Sequence, residues 1–341
     1  MKSVDVIIIG FGVIGRGVAR IIMEKRDFLR KRNGFDLRVV AICEINGSII
    51  SENGVDLNNA LLLSERGRLE KHRDWNSMKS FDVIDKIDAD IVLELTPGDV
   101  KNGEPGFSHI KESLKRKMNV VTSNKAPIAL NFKELQKIAN KNDVKLRYEA
   151  TVGGAIPIIN LHQKCLQINE TRSIYGILNG TTNYILSKMT EEDMNFDDAL
   201  NEANELGIAE SNPSYDIDGV DTALKVAILA NSVMDKDVRF KDIKIQGIRD
   251  ITQEAIELAK KHGYVIKLIG DVGRLEVSPR LIPVEHPLNV SGSLNAIMMD
   301  TDIAGEITIV GHGAGAKETA SSIFSDIIDI SNSLSLSSSC P

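Results

Sequence analysis

Cysteine is scarce: three occur in 341 residues, Cys43, Cys165 and Cys340, and no two form a C-x-x-C pair. A disulfide framework is therefore excluded, and the thiols read as reduced. The six histidines, His72, His109, His162, His262, His286 and His312, show no spacing with one another or with cysteine that suits a transition metal. Basic residues are in deficit, with 41 Lys and Arg against 48 Asp and Glu and a formal charge of −7. They are also spread out, so nucleic acid is not an expected partner. No stretch approaches the roughly 18 consecutive apolar residues that cross a bilayer, and the opening MKSVDVIIIG carries no signal-peptide pattern. No membrane partner is expected, and the expected location is the cytoplasm.

What is present is an alternation of two patterns. Residues 4–9 (VDVIII) are an apolar β-branched run, and Val18, Ile21, Ile22 and Phe28 then recur at helical spacing. Further strand-like runs at 37–43, 89–95, 119–124 and 144–150 are separated by helix-like segments at 108–117 and 131–142. Strands alternating with helices predict right-handed crossovers and a parallel sheet, an α/β domain over residues 1–150. Beyond it the order changes: helical segments at 154–165, 181–189, 197–207 and 221–233 precede β-rich runs at 264–273, 275–284, 293–301 and 306–311. That is an α+β pattern for a second domain, 151–310, followed by a last amphipathic helix.

Gly10-Phe11-Gly12-Val13-Ile14-Gly15 follows the first strand and opens the first helix, the context that a G-x-G-x-x-G match requires. Gly10 allows a tight turn, Gly12 lets a pyrophosphate approach the backbone, and Gly15 lets helix and strand pack closely, with free N–H groups at the helix start. A dinucleotide fits that loop. Glu44, at the end of the second apolar run, can accept hydrogen bonds from an adenosine ribose and favours NAD over NADP. Arg38, or a basic residue of the run at 30–32, could instead turn toward a 2′-phosphate.

Asp221 and Lys225 are four apart in a helical segment and share a face, a spacing that a plain surface ion pair also has. Their company is less ordinary. Glu210, Asp216, Asp218 and Asp221 crowd one short stretch with glycine and proline beside the lysine, a set able to bind a zwitterion. An α-ammonium needs carboxylate acceptors, and a carbonyl receiving hydride needs a proton donor within about 3 Å.

Residues 122–127 (TSNKAP), 148–158 (YEATVGGAIPI), 178–186 (LNGTTNYIL), 207–225, 286–288 (HPL) and 311–320 (GHGAGAKETA) together resemble the homoserine dehydrogenases, collinearly and over nearly the whole chain. The resemblance implies reduction of L-aspartate 4-semialdehyde to L-homoserine with NADH or NADPH, in threonine and methionine biosynthesis. It implies an N-terminal Rossmann domain and a catalytic, dimerising second domain, with residues 311–335 returning to the first. It makes Lys225 the acid/base, supported by Asp221, with Glu210 and Asp216 holding the substrate. Lys125 becomes a second cation near the substrate oxygen and the cofactor, Thr96 lies on the nicotinamide side, and Gly315 contacts the cofactor. Similar enzymes hold a monovalent cation, usually sodium, through the residues matching Glu149 and the carbonyls of Val152, Gly154 and Ile156. A glycine-rich hinge explains that last segment equally well. A homodimer is expected.

Two other readings compete. Aspartate-semialdehyde dehydrogenase acts on the same aldehyde but needs an activated cysteine, and none of the three has that setting. A dinucleotide-binding regulator without catalysis would leave the acid and lysine cluster without a task.

Overall fold

The protein is described from a computed structural model that covers residues 2–209 and 212–337. Two expectations, on Glu210 and Cys340, lie outside the described residues. The chain divides into two compact units, one made of the residues up to Thr151 with those from Ala316 onward, the other of Val152–Gly315.

In the first unit, strands β1 (Lys2–Ile9), β2 (Phe35–Glu44), β3 (Gly47–Ile50), β4 (Trp75–Asn76), β5 (Ile91–Glu94), β6 (Asn119–Thr122) and β7 (Leu146–Arg147) form one sheet in the order β4-β3-β2-β1-β5-β6-β7. The pairs from β2 to β7 are parallel, as the alternating pattern predicts, while β3 and β4 add an antiparallel edge that the sequence reading did not include. β1 loses its alternation after Asp5 and runs as the consecutive buried residues Val6, Ile7, Ile8 and Ile9, because a central parallel strand is covered on both faces. Helices α1 (Val13–Glu24), α2 (Ser80–Lys86), α3 (Gly106–Lys115) and α4 (Lys125–Lys141) supply crossovers. The C-terminal helix Ala316–Ser337 belongs to this unit, with Ala320, Ile323, Phe324, Ile327 and Ile330 in one core with Val4, Val6, Val18 and Ile22. Its return starts at Ala316 rather than at 311, because residues 305–312 complete a strand of the other unit.

Register decides where ligands can approach. Ile9 pairs with Cys43 on one side and Glu94 on the other, and Glu94 pairs with Thr122, so the carboxyl ends of β1, β2, β5 and β6 form one level row. The chain leaves β1 for β2 on one side and later takes β5 on the other. Open sheets of this kind bind ligands at that reversal.

The second unit contains β8 (Thr171–Ile177), β9 (Lys244–Ile245), β10 (Tyr264–Asp271), β11 (Glu276–Pro283), β12 (Leu294–Thr301) and β13 (Gly305–His312), in the order β13-β12-β8-β10-β11-β9. Its pairs are antiparallel apart from β11 with β9. Helices α5 (Gly180–Glu191), α6 (Phe196–Glu205) and α7 (Val220–Ser232) accompany the sheet, with α5 and α7 against β10. Every residue of α7 from Thr222 to Asn231 is buried, so its lysine is held inside the protein.

Candidate active site

The glycine loop has the geometry that its sequence implies. Gly10 takes a left-handed φ of +94°, donates its N–H to Cys43 O at 2.9 Å, and lies so close to Leu95 that a Cβ would come within 2.9 Å of that backbone. A Cβ on Gly15 would meet Gly10 O at 2.3 Å, whereas one on Gly12 would meet nothing within 4 Å. Gly12 is the N-cap of the 12-residue α1, with no side-chain cap and no acidic residue in the first turn. The loop thus leaves space, unopposed N–H groups and a positive helix end where a pyrophosphate would lie. Val13 is exposed beside it, and Ile14 packs against the core below.

Glu44 turns its carboxylate onto this loop, accepting the Phe11 N–H at 2.6 Å. Of the basic residues that could have answered it, Arg38 is engaged with Asp5 at 2.6 Å and Arg30 with Asp36 at 2.5 Å. Lys79, which the sequence reading passed over, donates to the carbonyl of Ile45 at 2.5 Å, next to Glu44. Thr96 lies two residues past β5, and Lys125 is the first residue of α4, directly after the N-cap Asn124.

In the second unit, the lysine and its acids are assembled from three places. Gly219, at φ +82°, turns the chain into α7, which puts Asp221 in the first helical turn and Lys225 one turn on. Lys225 is 6% exposed. Its ammonium lies 2.7 Å from Asp221 Oδ2 and donates to the carbonyl of Leu178. The next residue, Asn179, caps α5 with its side-chain oxygen and uses its amide N–H groups on Asp216 Oδ1 at 2.7 Å and Asp221 Oδ2 at 2.9 Å. Asp216 is held above the usual carboxylate range, first by burial and then by the charge of Asp221, with Asn179 acting in the opposite sense.

Two findings differ from the sequence reading. Asn179 joins both carboxylates and had been given no role, although it stood within the quoted LNGTT segment. Asp218 leaves the cluster, because Arg249 holds it at the surface at 2.5 Å.

Glu149 is 1% exposed at the end of the first unit, with its N–H donated to Asp326 Oδ2 at 2.9 Å. Val152, Gly154 and Ile156 open the second unit, where Gly153 and Gly154 have φ of +77° and +56°. Gly154 packs so tightly on the 312–313 backbone that a Cβ would come within 2.6 Å of it. Gly315 takes a φ of +127° just before the C-terminal helix. Among the described residues the thiol chemistry of the rival enzyme has no support: Cys43 is buried, which pushes its thiol up to about 12, and Cys165 sits on an exposed irregular helical turn.

Comparison with known proteins agrees. Residues 10–149 match the family model of the homoserine dehydrogenase NAD-binding domain, and residues 157–328 match that of homoserine dehydrogenase. The homoserine dehydrogenase of Methanocaldococcus jannaschii is 51% identical over 96% of this chain and 99% of its own length. The NAD(+)-dependent homoserine dehydrogenase of Pseudomonas canavaninivorans is 34% identical over 98% and 97%. Among solved structures, a homoserine dehydrogenase from Archaeoglobus fulgidus superposes with a TM-score of 0.88 at 42% identity, covering 96% of this chain and 99% of its own. A hyperthermophilic archaeal homoserine dehydrogenase in complex with NADPH gives 0.83 at 30% identity, covering 96% and 98%. A nucleotide loop, a buried lysine among carboxylates and relatives matched over their full length converge: the chain belongs to the homoserine dehydrogenases, the NAD(P)-dependent oxidoreductases that interconvert L-homoserine and L-aspartate 4-semialdehyde.

Proposed function

We propose that Lys225 exchanges the proton of the substrate oxygen, that Asp221 holds Lys225 in place, and that Asp216 and Glu210 receive the α-ammonium and hydroxyl end of homoserine. The observation that carries this reading is the buried contact of 2.7 Å between Lys225 and Asp221, joined to Asp216 by the two hydrogen bonds of Asn179. In reduction, Lys225 gives a proton to the oxygen as it gains negative charge; in oxidation, it takes that proton back. Asp221 and Leu178 O restrict the amine to one orientation, and in this reading its remaining N–H serves the reacting oxygen. Lys125 contributes a second positive group to the same oxygen.

Gly10, Gly12, Val13, Ile14 and Gly15 would hold the dinucleotide, with Glu44 on the adenosine ribose and Thr96 and Gly315 at the nicotinamide end. The bound nicotinamide supplies or accepts the hydride. Glu44 favours NAD, and Lys79 is the nearby cation that would tolerate a 2′-phosphate. A monovalent cation such as sodium on Glu149 and the carbonyls of Val152, Gly154 and Ile156, a homodimeric state and a cytoplasmic location complete the reading on sequence grounds.

The test is absorbance at 340 nm with L-homoserine and either NAD or NADP, on wild type and Lys225→Ala, beside NADH titration of both. Turnover that collapses in the variant while cofactor binding survives supports the assignment. A Lys225→Ala enzyme with undiminished kcat would refute it, and a higher kcat/KM with NADP would refute the preference assigned to Glu44.

A further inference from the structure

The first unit buries an ionisable group that none of the roles above uses. Glu94 ends β5 and is 0% exposed. Its Oε1 accepts the Thr96 N–H at 3.2 Å and also the Thr96 hydroxyl. The hydroxyl of Thr122, the last residue of β6, donates to the main-chain carbonyl of Glu94 at 2.8 Å, lies 3.2 Å from Glu94 Oε2, and accepts the Asn124 N–H at 3.0 Å. Glu94, through its carboxylate and its carbonyl, therefore joins the turn that carries Thr96 to the turn that leads into Lys125.

The surroundings are built tightly around it. His109 of α3 is buried with Nδ1 at 3.6 Å from Glu94 Oε1 and without a hydrogen bond there, while its Nε2 contacts Ser80 Oγ at 2.8 Å. Two glycines make the approach of the covering segment feasible. A Cβ on Gly98 would lie 2.1 Å from Asn124 Oδ1, and one on Gly106 would lie 2.4 Å from Asn124 Nδ2 and 3.1 Å from Glu94 Oε2. Taking a carboxylate this far from water is unfavourable unless it is well bonded. A turn alone could be fixed by a short amide side chain at no such cost.

We infer that Glu94 is a positioning residue for hydride transfer: its buried carboxylate sets the Thr96 turn, and through Thr122 the start of α4, at the nicotinamide end of the cofactor. The inference rests on the proposed placement of Thr96 and Lys125. Glu94 touches neither substrate nor cofactor, and it acts through the backbone of the residues that do. Displacement of such a turn by an ångström lowers the rate of the chemical step far more than it weakens ground-state binding.

The experiment measures homoserine oxidation by the full-length enzyme with unlabelled and 4,4-dideuterated homoserine, together with NADH affinity by fluorescence titration and the thermal midpoint. Glu94→Asp withdraws the acceptor by one methylene. It is expected to lower kcat about 10- to 100-fold and raise the isotope effect on kcat, with homoserine KM within about twofold of wild type. Glu94→Gln keeps an acceptor for Thr96 and turns its amide toward Thr122, and it is expected to restore most of the rate. Wild-type kcat and isotope effect in Glu94→Asp would overturn the inference. So would equal impairment of both variants with lowered midpoints and an unchanged isotope effect, the signature of a merely structural group. If Glu94→Asp does not fold, Thr122→Val tests the same link; a raised isotope effect supports it and an unchanged one overturns it. Thr96→Val separates the two levels. Loss of rate there with an intact Glu94→Asp enzyme removes the inference alone, whereas wild-type behaviour of Thr96→Val removes the placement of Thr96 beneath it.

Discussion

The second unit buries two lysines, and their surroundings are opposite. Lys225 sits in α7 with a carboxylate at 2.7 Å. Lys267, in the middle of β10 and 2% exposed, gives its amine to Val290 O at 2.8 Å, Asn183 Oδ1 at 2.9 Å and Ser187 Oγ at 3.2 Å, all neutral acceptors. Burial pushes the Lys267 amine down to about 8, with only a weak counteraction from the charge of Glu191. Burial is common to both amines, so the difference lies in the partner. An ammonium beside a carboxylate is suited to exchange a proton with a substrate, whereas one bonded only to neutral groups links α5, β10 and the 290 loop and has no acid to work with.

Replacing each amine by an unbranched apolar side chain of similar length tests that contrast. Lys225→Met is expected to lower kcat by roughly 10³-fold, with NADH affinity retained, because the cofactor loop belongs to the other unit. Lys267→Met is expected to leave kcat and KM at wild-type values. Equal losses in both would end the distinction. Asp221→Asn abolishes the contrast from the other side, giving Lys225 only neutral partners. It should lower kcat by about 10²-fold and destabilise the fold by ~3 kcal/mol, since it leaves a buried charge without its counterion. Steady-state kinetics beside urea titration reads both effects.

Asp216→Asn touches binding more than chemistry. Homoserine KM should rise about 10- to 100-fold with a smaller change in kcat. The wild-type enzyme must keep Asp216 charged to hold an ammonium, and that carboxyl is held above the ordinary range. The acid limb of kcat/KM should therefore begin at a higher pH than an ordinary aspartate would give, and it should vanish in Asp216→Asn. An unchanged limb would assign it to another group.

These groups differ in how far the sequence discloses them. The three glycines are legible because each answers a constraint within a few residues: a turn, an opening and a strand contact. Asp221 and Lys225 are legible as a pair because helical spacing brings them together. Asn179 is not, since the carboxylates it bonds are 37 and 42 residues away. Asp218 looks like its neighbours until Arg249, 31 residues on, draws it to the surface. β8 was also missed. Its sequence, TRSIYGI, carries an arginine and a glycine, yet it lies between β12 and β10. The glycine explains the fit: a Cβ on Gly176 would come within 2.2 Å of Ala296 O. Thr171, Ile174, Tyr175 and Ile177 favour a strand, but the polar residues and the glycine between them leave no continuous apolar run to mark it.

The remaining comparison isolates burial from pairing and leaves catalysis untouched. Lys267 is depressed from 10.5 to about 8 in the folded protein, while in the unfolded chain it returns to its ordinary value. Below about pH 8 both states hold the proton, and the folded state bears the full cost of a buried charge. Between about 8 and 10.5 the folded protein has released the proton and the unfolded chain still binds it, so stability rises with pH. Across that interval the gain is roughly 3 kcal/mol. Other titrating groups contribute equally to wild type and Lys267→Met and cancel in the difference. The stability of wild type minus that of Lys267→Met, from urea midpoints at a series of pH values between 7 and 10, should therefore be nearly level at pH 7 and climb above about pH 8. A flat difference would mean that the three neutral acceptors hold the ammonium as well as water does, and that a buried lysine in this fold has no need of a carboxylate to stay charged.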